Sequence, residues 1–130
     1  MKPDAVRARR TGEILRRLEG AGFTITGLLM RHLSPDNAEY FYAIHHDKPF
    51  FAGLVEFMTS GPLVAVRLEG TDSRRRLREF VGATDPARAA PGTIRADFGT
   101  AIRSNAVHAS NPDEDVECEI RFFFPDTNQF

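Results

Sequence analysis

"LVAVRLEG", Leu63 to Gly70, reads as a strand: apolar and β-branched through Val66, charged at Arg67 and Glu69, and stopped by glycine. The segments beside it change period. Upstream, Lys48-Pro49 restarts the chain as a short helix, "PFFAGLVEFM", which ends at Ser60-Gly61-Pro62. Downstream, "DSRRRLREFVG" reads as a helix with Asp72 as its cap and Leu77, Phe80 and Val81 turned inward. Further out, "FTITGLLMRHL", Phe23 to Leu33, reads as a second strand that includes His32. Before it, "TGEILRRLEGAG" places Ile14, Leu15 and Leu18 on one helical face, and Gly20 and Gly22 end the helix. After it, Ser34 caps a helix with Pro35 and Asp36 in its first turn. The order is helix, strand, helix, helix, strand, helix, long loop, short strand, helix. Helices packed on an antiparallel sheet satisfy that order, which makes the chain α+β.

Bulk composition bounds the function. At 130 residues, 42% apolar and 27% charged, the chain fits one globular domain spanning residues 1–130. A net charge of −1 supplies no electrostatic drive toward nucleic acid or an anionic membrane. The cations are 15 Arg and 2 Lys, a bias compatible with phosphate and also with a genomic habit. Cys118 stands alone, so neither an internal disulfide nor a thiolate metal cluster can form. No apolar run reaches the roughly 18 residues of a membrane span. "MKPDAVRARR" has no apolar stretch behind its charges and is not a secretory signal, so a cytoplasmic location is the default expectation.

Two stretches near the C-terminus attract attention. "ATDPARAAPGTIRADFGTAIRSN" has weak periodicity and reads as a long irregular loop, a feature often tied to function. "SNAVHASNPDEDVECEI" follows, with Asn105 to His108 extended and Ser110 or Asn111 capping a helix that has Pro112 first. Asp113, Glu114 and Asp115 then suit the helix dipole, Val116, Ile120 and Phe123 face the core, and Pro125 ends the helix. A lone histidine at such an entrance can simply be a surface residue. His45 and His46 adjoin each other and no HxxxH or HExxH spacing exists, which disfavours metal ligation by His108. GxSxG and GxxxxGK[ST] are also absent. Glu119 stands 11 residues beyond His108, and a folded-back turn would bring its carboxylate to the imidazole, fixing one ring nitrogen and leaving the other to attack. Asn105, Ser110, Thr93 and Arg95 add the neutral donors and the cation that a polyphosphate needs.

"KPDAV", "HHDKPFFAGLVEFMTSGPLVAVRLEG", "GATDPARAAPGTIRADFG" and "RSNAVHASNPDEDVECEIRFFFP" together resemble the successive blocks of nucleoside diphosphate kinases, from Lys2 to about Pro125. The resemblance implies a ferredoxin-like α/β sandwich with an antiparallel sheet. It implies ping-pong transfer of a γ-phosphate from a nucleoside triphosphate such as ATP to a nucleoside diphosphate, with broad base specificity. It further implies Mg²⁺ held mainly by the nucleotide phosphates rather than by the protein, and a homo-hexamer or homo-tetramer. By position, it implies that His108 is the phosphorylated nucleophile, that Glu119 orients it and that Ser110 bonds Glu119. Lys2 would reach the transferred phosphate, Tyr42 would stand near the histidine, and Phe50 would stack on the base. Arg78, Thr84 and Arg95 would hold the β- and γ-phosphates, and Asn105 the ribose 3′-hydroxyl and phosphate region. Such an inventory suits phosphoryl transfer, in which the protein mainly positions groups and stabilises charge.

Two departures from the family pattern stand out. Ala109 and Asn111 occupy the positions of the usual Gly and Asp after the histidine. The family also carries a short apolar strand just before Lys-Pro-Asp, central in the sheet, which this chain as written lacks. Loss of a central strand can outweigh a typical total stability of about 5–15 kcal/mol. The expectations are therefore a mobile, poorly placed Lys2, and a chain that folds poorly or is inactive unless roughly six upstream residues are restored. Two other functions compete: an impaired relative serving as a nucleotide-binding or interaction module, and a regulator acting by histidine phosphotransfer.

Overall fold

In a computed structural model that describes residues 1–111 and 115–126, the two expected strands pair with each other. Strand β1, Thr24–Arg31, runs antiparallel to β2, Leu63–Glu69, in a two-stranded sheet with Thr24 opposite Glu69 and Arg31 opposite Leu63. The register slips between Ile25 and Gly27. Gly27 is needed for close approach: a Cβ there would lie 2.9 Å from Cε1 of Phe124. His32 lies one residue past β1 rather than within it.

The helices follow local chemistry. Helix α1, Pro3–Arg7, begins on a proline that costs it no hydrogen bond, with Asp4 in its first turn. Helix α2, Thr11–Gly20, buries Ile14 and Leu18 and ties Glu13 to Arg16 and Arg17 on its outer face. Gly22, at φ +91°, makes the turn into β1. Helix α3, Pro35–Phe41, is capped by the Ser34 hydroxyl, which accepts from the Asn37 amide, and a 3-10 turn at Ala43–His45 follows. Helix α4 is Phe51–Met58 and α5 is Ser73–Val81. Asp72 does not cap α5: it sits at φ +52° and its carboxylate pairs with Arg75 instead. Val81 is buried, and Leu77 and Phe80 pack beside it as expected.

The stretch read as one irregular loop contains structure. Asp85 caps a 3-10 turn at Pro86–Arg88, and Thr93 caps helix α6, Ile94–Phe98, by accepting from the Ala96 amide. Five residues are too few to display a helical period, which is why the pattern looked weak. The segment read as an extended strand is not one: Ala106 is left-handed at φ +74°, and no strand forms there among the described residues. The last helix, α7, is Val116–Phe123, with Asp115 as its cap accepting from the Cys118 amide. Pro112, Asp113 and Glu114, expected in its first turn, lie outside the described residues, and the Ser110 hydroxyl donates to Glu119.

Among the described residues, two apolar clusters form. One joins α1, α2, α5 and α6 through residues such as Ala5, Ile14, Leu18, Val81 and Ile94, and takes in Val107 and Ala109. The other joins α3 and α4 through Ala38, Tyr42, Val55 and Met58, with Phe41 and Phe123 packed on it. His108 therefore lies between two residues of the first cluster and makes its ring contacts with the second. The first two residues stitch these parts together. Met1 exchanges main-chain bonds with Val64 of β2, and the Lys2 amide donates to Ala106 at 2.8 Å. Lys2 is thus held in place, contrary to the expectation of a mobile terminal residue.

Candidate active site

The turn at residues 105–109 carries the chemistry. A left-handed alanine costs about a kilocalorie or more, so something must hold it. Asp4 does: its Oδ2 accepts the Ala106 amide at 3.0 Å, while its Oδ1 is buried without a partner among the described residues. The turn projects Asn105 and His108. Asn105, only 3% exposed, donates through Nδ2 to the Thr84 carbonyl at 3.0 Å and accepts at Oδ1 from Lys2 Nζ at 2.9 Å.

His108 Nε2 faces Glu119 Oε1 at 3.4 Å. The other oxygen, Oε2, accepts from the Ser110 hydroxyl at 2.5 Å. The carboxylate is thereby held from behind while it points one edge of the imidazole. Two rings fix the imidazole plane: Tyr42, at 6.1 Å and 83°, and Phe41, at 5.8 Å and 78° between centroids and planes. Tyr42 was expected beside the histidine; Phe41 was not.

Lys2 is 7% exposed and its Nζ also donates to the Arg103 carbonyl at 2.6 Å, 5.2 Å from the centre of the Phe57 ring. Burial pushes its pKa down from 10.5 to about 8, with Arg95 and Arg103 pushing the same way and Asp4 opposing. Burial, and secondarily Arg78, brings Arg95 down to about 10. Its Nη1 donates to the Gly82 carbonyl at 3.1 Å and its Nη2 to the Val107 carbonyl at 2.8 Å, with Nε buried and unpartnered among the described residues. Arg95 thus spends part of its fork clamping residue 82 to residue 107. Gly82, at φ +92°, leaves no room for a Cβ, which would fall 2.5 Å from Thr93 Oγ1. Thr93 is accordingly a helix cap and a packing residue rather than a cleft donor.

An open cleft of about 780 Å³ gathers Lys2, Tyr42, Phe50, Arg78, Thr84, Arg95, Asn105, His108 and Glu119 on its walls. Ser110 stands behind, on the neighbouring apolar groove, and reaches the cleft through Glu119. One end is cationic and the other apolar, where Phe50 is 45% and Ile102 60% exposed. Among the described residues, no three histidine, cysteine, aspartate or glutamate side chains converge as a metal cage. The sequence reading missed Asp4, Phe41 and Phe57. Only Asp4 carried a signal, as an acid next to Lys-Pro at the start of a helix.

The family model for nucleoside diphosphate kinase matches residues 1–129. The chain belongs to that family. Its activity is that of a nucleoside diphosphate kinase, a phosphotransferase of nucleotide metabolism. A nucleoside diphosphate kinase of Paracidovorax citrulli is 51% identical over 128 residues, 98% of this chain and 91% of the relative. One of Francisella tularensis subsp. mediasiatica is 51% identical over 130 residues, 100% of this chain and 93% of the relative. Solved nucleoside diphosphate kinases superpose closely. That of Aquifex aeolicus has a TM-score of 0.91 at 47% identity, covering 95% of this chain and 89% of its own. The halophilic enzyme of Halobacterium salinarum, solved with CDP, has a TM-score of 0.92 at 44% identity, covering 96% and 84%. The kinase is thus an α+β protein of the same architecture, and no helix among its described residues is long and apolar enough to cross a membrane.

Proposed function

We propose that the kinase works by a ping-pong route through phospho-His108. The observation that carries this reading is the Glu119 carboxylate, backed by Ser110 and directed at His108 Nε2 in a cationic cleft. With Nε2 turned to Glu119, Nδ1 is the nitrogen that attacks. In the first half-reaction Nδ1 bonds to the γ-phosphorus, and the bond to the β–γ bridging oxygen breaks. The first product leaves as a nucleoside diphosphate carrying that oxygen. In the second half-reaction a terminal oxygen of another nucleoside diphosphate attacks the phosphorus, the P–N bond breaks, and neutral His108 is restored.

Lys2 and Arg78 meet the phosphoryl oxygens as charge develops, with Thr84 as a neutral donor and Arg95 sharing its fork between phosphate and the Val107 carbonyl. Asn105, tied to Lys2 and Thr84, contacts the ribose 3′-hydroxyl and relays position between the two ends. Tyr42 keeps the imidazole plane. Phe50 stacks on the base, and because every base has a π-face, base specificity is broad. The donor set of the cleft, cations and neutral hydroxyl or amide groups, suits phosphate oxygens. When bound, Mg²⁺ would be held by the nucleotide phosphates rather than by protein side chains and would supply charge neutralisation. The Halobacterium enzyme was solved in complex with CDP, which supports a nucleotide as the ligand of this kinase.

Residues 1–130 act as one ferredoxin-like domain, as a homo-hexamer or homo-tetramer in the cytoplasm. The test is steady-state kinetics with ATP and varied GDP. Parallel double-reciprocal lines, lost together with all activity in His108→Ala, agree with the scheme. Intersecting lines, or a His108→Ala chain that still turns over, would reject it.

A further inference from the structure

Helix α4 offers the cleft a ladder of positions. Phe57 lies under Lys2 Nζ at one end, and Phe50, at the helix entrance, lines the cleft at the other. Gly53 lies between them, and it is occupied. A Cβ on Gly53 would sit 2.6 Å from both Nη1 and Nη2 of Arg103. The guanidinium therefore rests against the bare helix backbone, and a side chain at residue 53 would displace it. The Arg103 carbonyl accepts from Lys2 Nζ, so Arg103 is anchored at both its main chain and its side chain.

Among the described residues the Arg103 guanidinium has no hydrogen bond and no ion pair, and it lines the cleft with Phe50, Leu54 and Ile102. Many arginines on the outer faces are paired, such as Arg16, Arg17 and Arg75 with carboxylates. An unpaired cation set beside a second cation in a cleft repels it until an anion arrives.

The position along the ladder says which anion. On the nucleotide reading above, the transferred phosphate is at the His108 and Lys2 end and the base is at Phe50. Between those two lie the β- and α-phosphates; Arg78, Thr84 and Arg95 are already assigned to the β- and γ-phosphates, which leaves the α-phosphate to Arg103. We infer that Arg103 binds the α-phosphate of the nucleotide, and that Gly53 exists to seat it. Such a contact is indifferent to the base and common to di- and triphosphates. It serves binding and alignment rather than the bond-making step.

The experiment compares wild type, Arg103→Ala, Arg103→Lys and Gly53→Ala, each checked by thermal melt. Dissociation constants are measured for ADP, GDP and CDP, and for an ADP analogue whose α-phosphate is a neutral methylphosphonate. Loss of a charge-assisted contact at an exposed residue predicts roughly tenfold weaker binding in Arg103→Ala. That loss should be equal for the three bases, partly restored in Arg103→Lys, and shared by Gly53→Ala, in which the guanidinium is displaced. It should vanish for the methylphosphonate analogue. A loss that depends on the base, persists with the analogue, or is absent overturns the inference. Wild type that binds none of the nucleotides would sink the nucleotide reading as well. Wild type that binds normally beside an unaffected Arg103→Ala sinks this inference alone.

Discussion

Lys2→Met separates function from stability at one residue. Lys2 is 7% exposed, and the fall of its pKa from 10.5 to about 8 corresponds to about 3 kcal/mol held against its charged form. The sign follows from the direction of the shift. Below pH 8 the lysine is charged both folded and unfolded, so the burial penalty is fully present. Between about 8 and 10.5 the unfolded chain binds the extra proton, and stability rises with pH. Methionine removes the charge and fills the space, relieving that penalty at pH 7. It also strips the donor from Asn105 Oδ1 and the Arg103 carbonyl, which costs about 1–3 kcal/mol for each orphaned acceptor. The two effects nearly cancel. Lys2→Met should melt within about 5 °C of wild type at pH 7. Its kcat/KM should fall roughly 100- to 1,000-fold, the size of losing one donor aimed at developing charge. Differential scanning calorimetry beside a coupled assay of GDP phosphorylation reads both quantities. A variant that melts 15 °C lower, yet works normally per folded molecule, would refute the reasoning, because Lys2 would then be structural.

Three further outcomes follow from the same geometry. Glu119→Gln keeps the shape but loses the carboxylate facing His108, so kcat should drop roughly 10- to 100-fold, the size of losing one hydrogen bond to a charged group worth about 1.5–3 kcal/mol; rapid-quench phosphorylation shows whether the loss lies in that step, and an unchanged rate contradicts the role. Because Lys2 loses its charge as pH passes about 8, KM for nucleoside diphosphate should rise above that pH; a Lys2→Arg profile should move the break upward, and a wild-type profile flat to pH 9 would count against Lys2 as phosphate ligand. Asp4→Ala releases the Ala106 amide, so stability should fall by about 2 kcal/mol and kcat with it; Asp4→Asn should recover most of the stability, and a neutral Asp4→Ala would remove Asp4 from the account.

Legibility in the sequence varied with the length over which a pattern repeats. The strands at Thr24–Arg31 and Leu63–Glu69 and the helices α2, α4 and α5 were readable because apolar period and glycine stops agreed over seven or more residues. Helix α6 has five residues and escaped notice, although "PGT" before it holds the Thr93 cap. The residues of the turn at 105–109 were recognised by type and resemblance, but its shape was not, because the restraint on Ala106 comes from Asp4 about 100 positions away. Lys2 was misjudged for the same reason. Its anchors, the carbonyls of Ala106 and Arg103 and the Asn105 side chain, are distant in sequence. Arg95 was matched to a phosphate ligand, yet its bonds to Gly82 and Val107 depend on packing that no local pattern displays.

Where the phosphoryl group rests between half-reactions decides the mechanism. The direct measurement is to charge the purified chain with Mg²⁺ and ATP, remove nucleotide, and hold the protein at alkaline pH. Phosphorus NMR and tandem mass spectrometry then locate the group. A single acid-labile phosphate on Nδ1 of His108 is expected, passed quantitatively to GDP on addition. Phosphate on Nε2 or on another residue, or turnover without any phosphorylated protein, would contradict that mechanism.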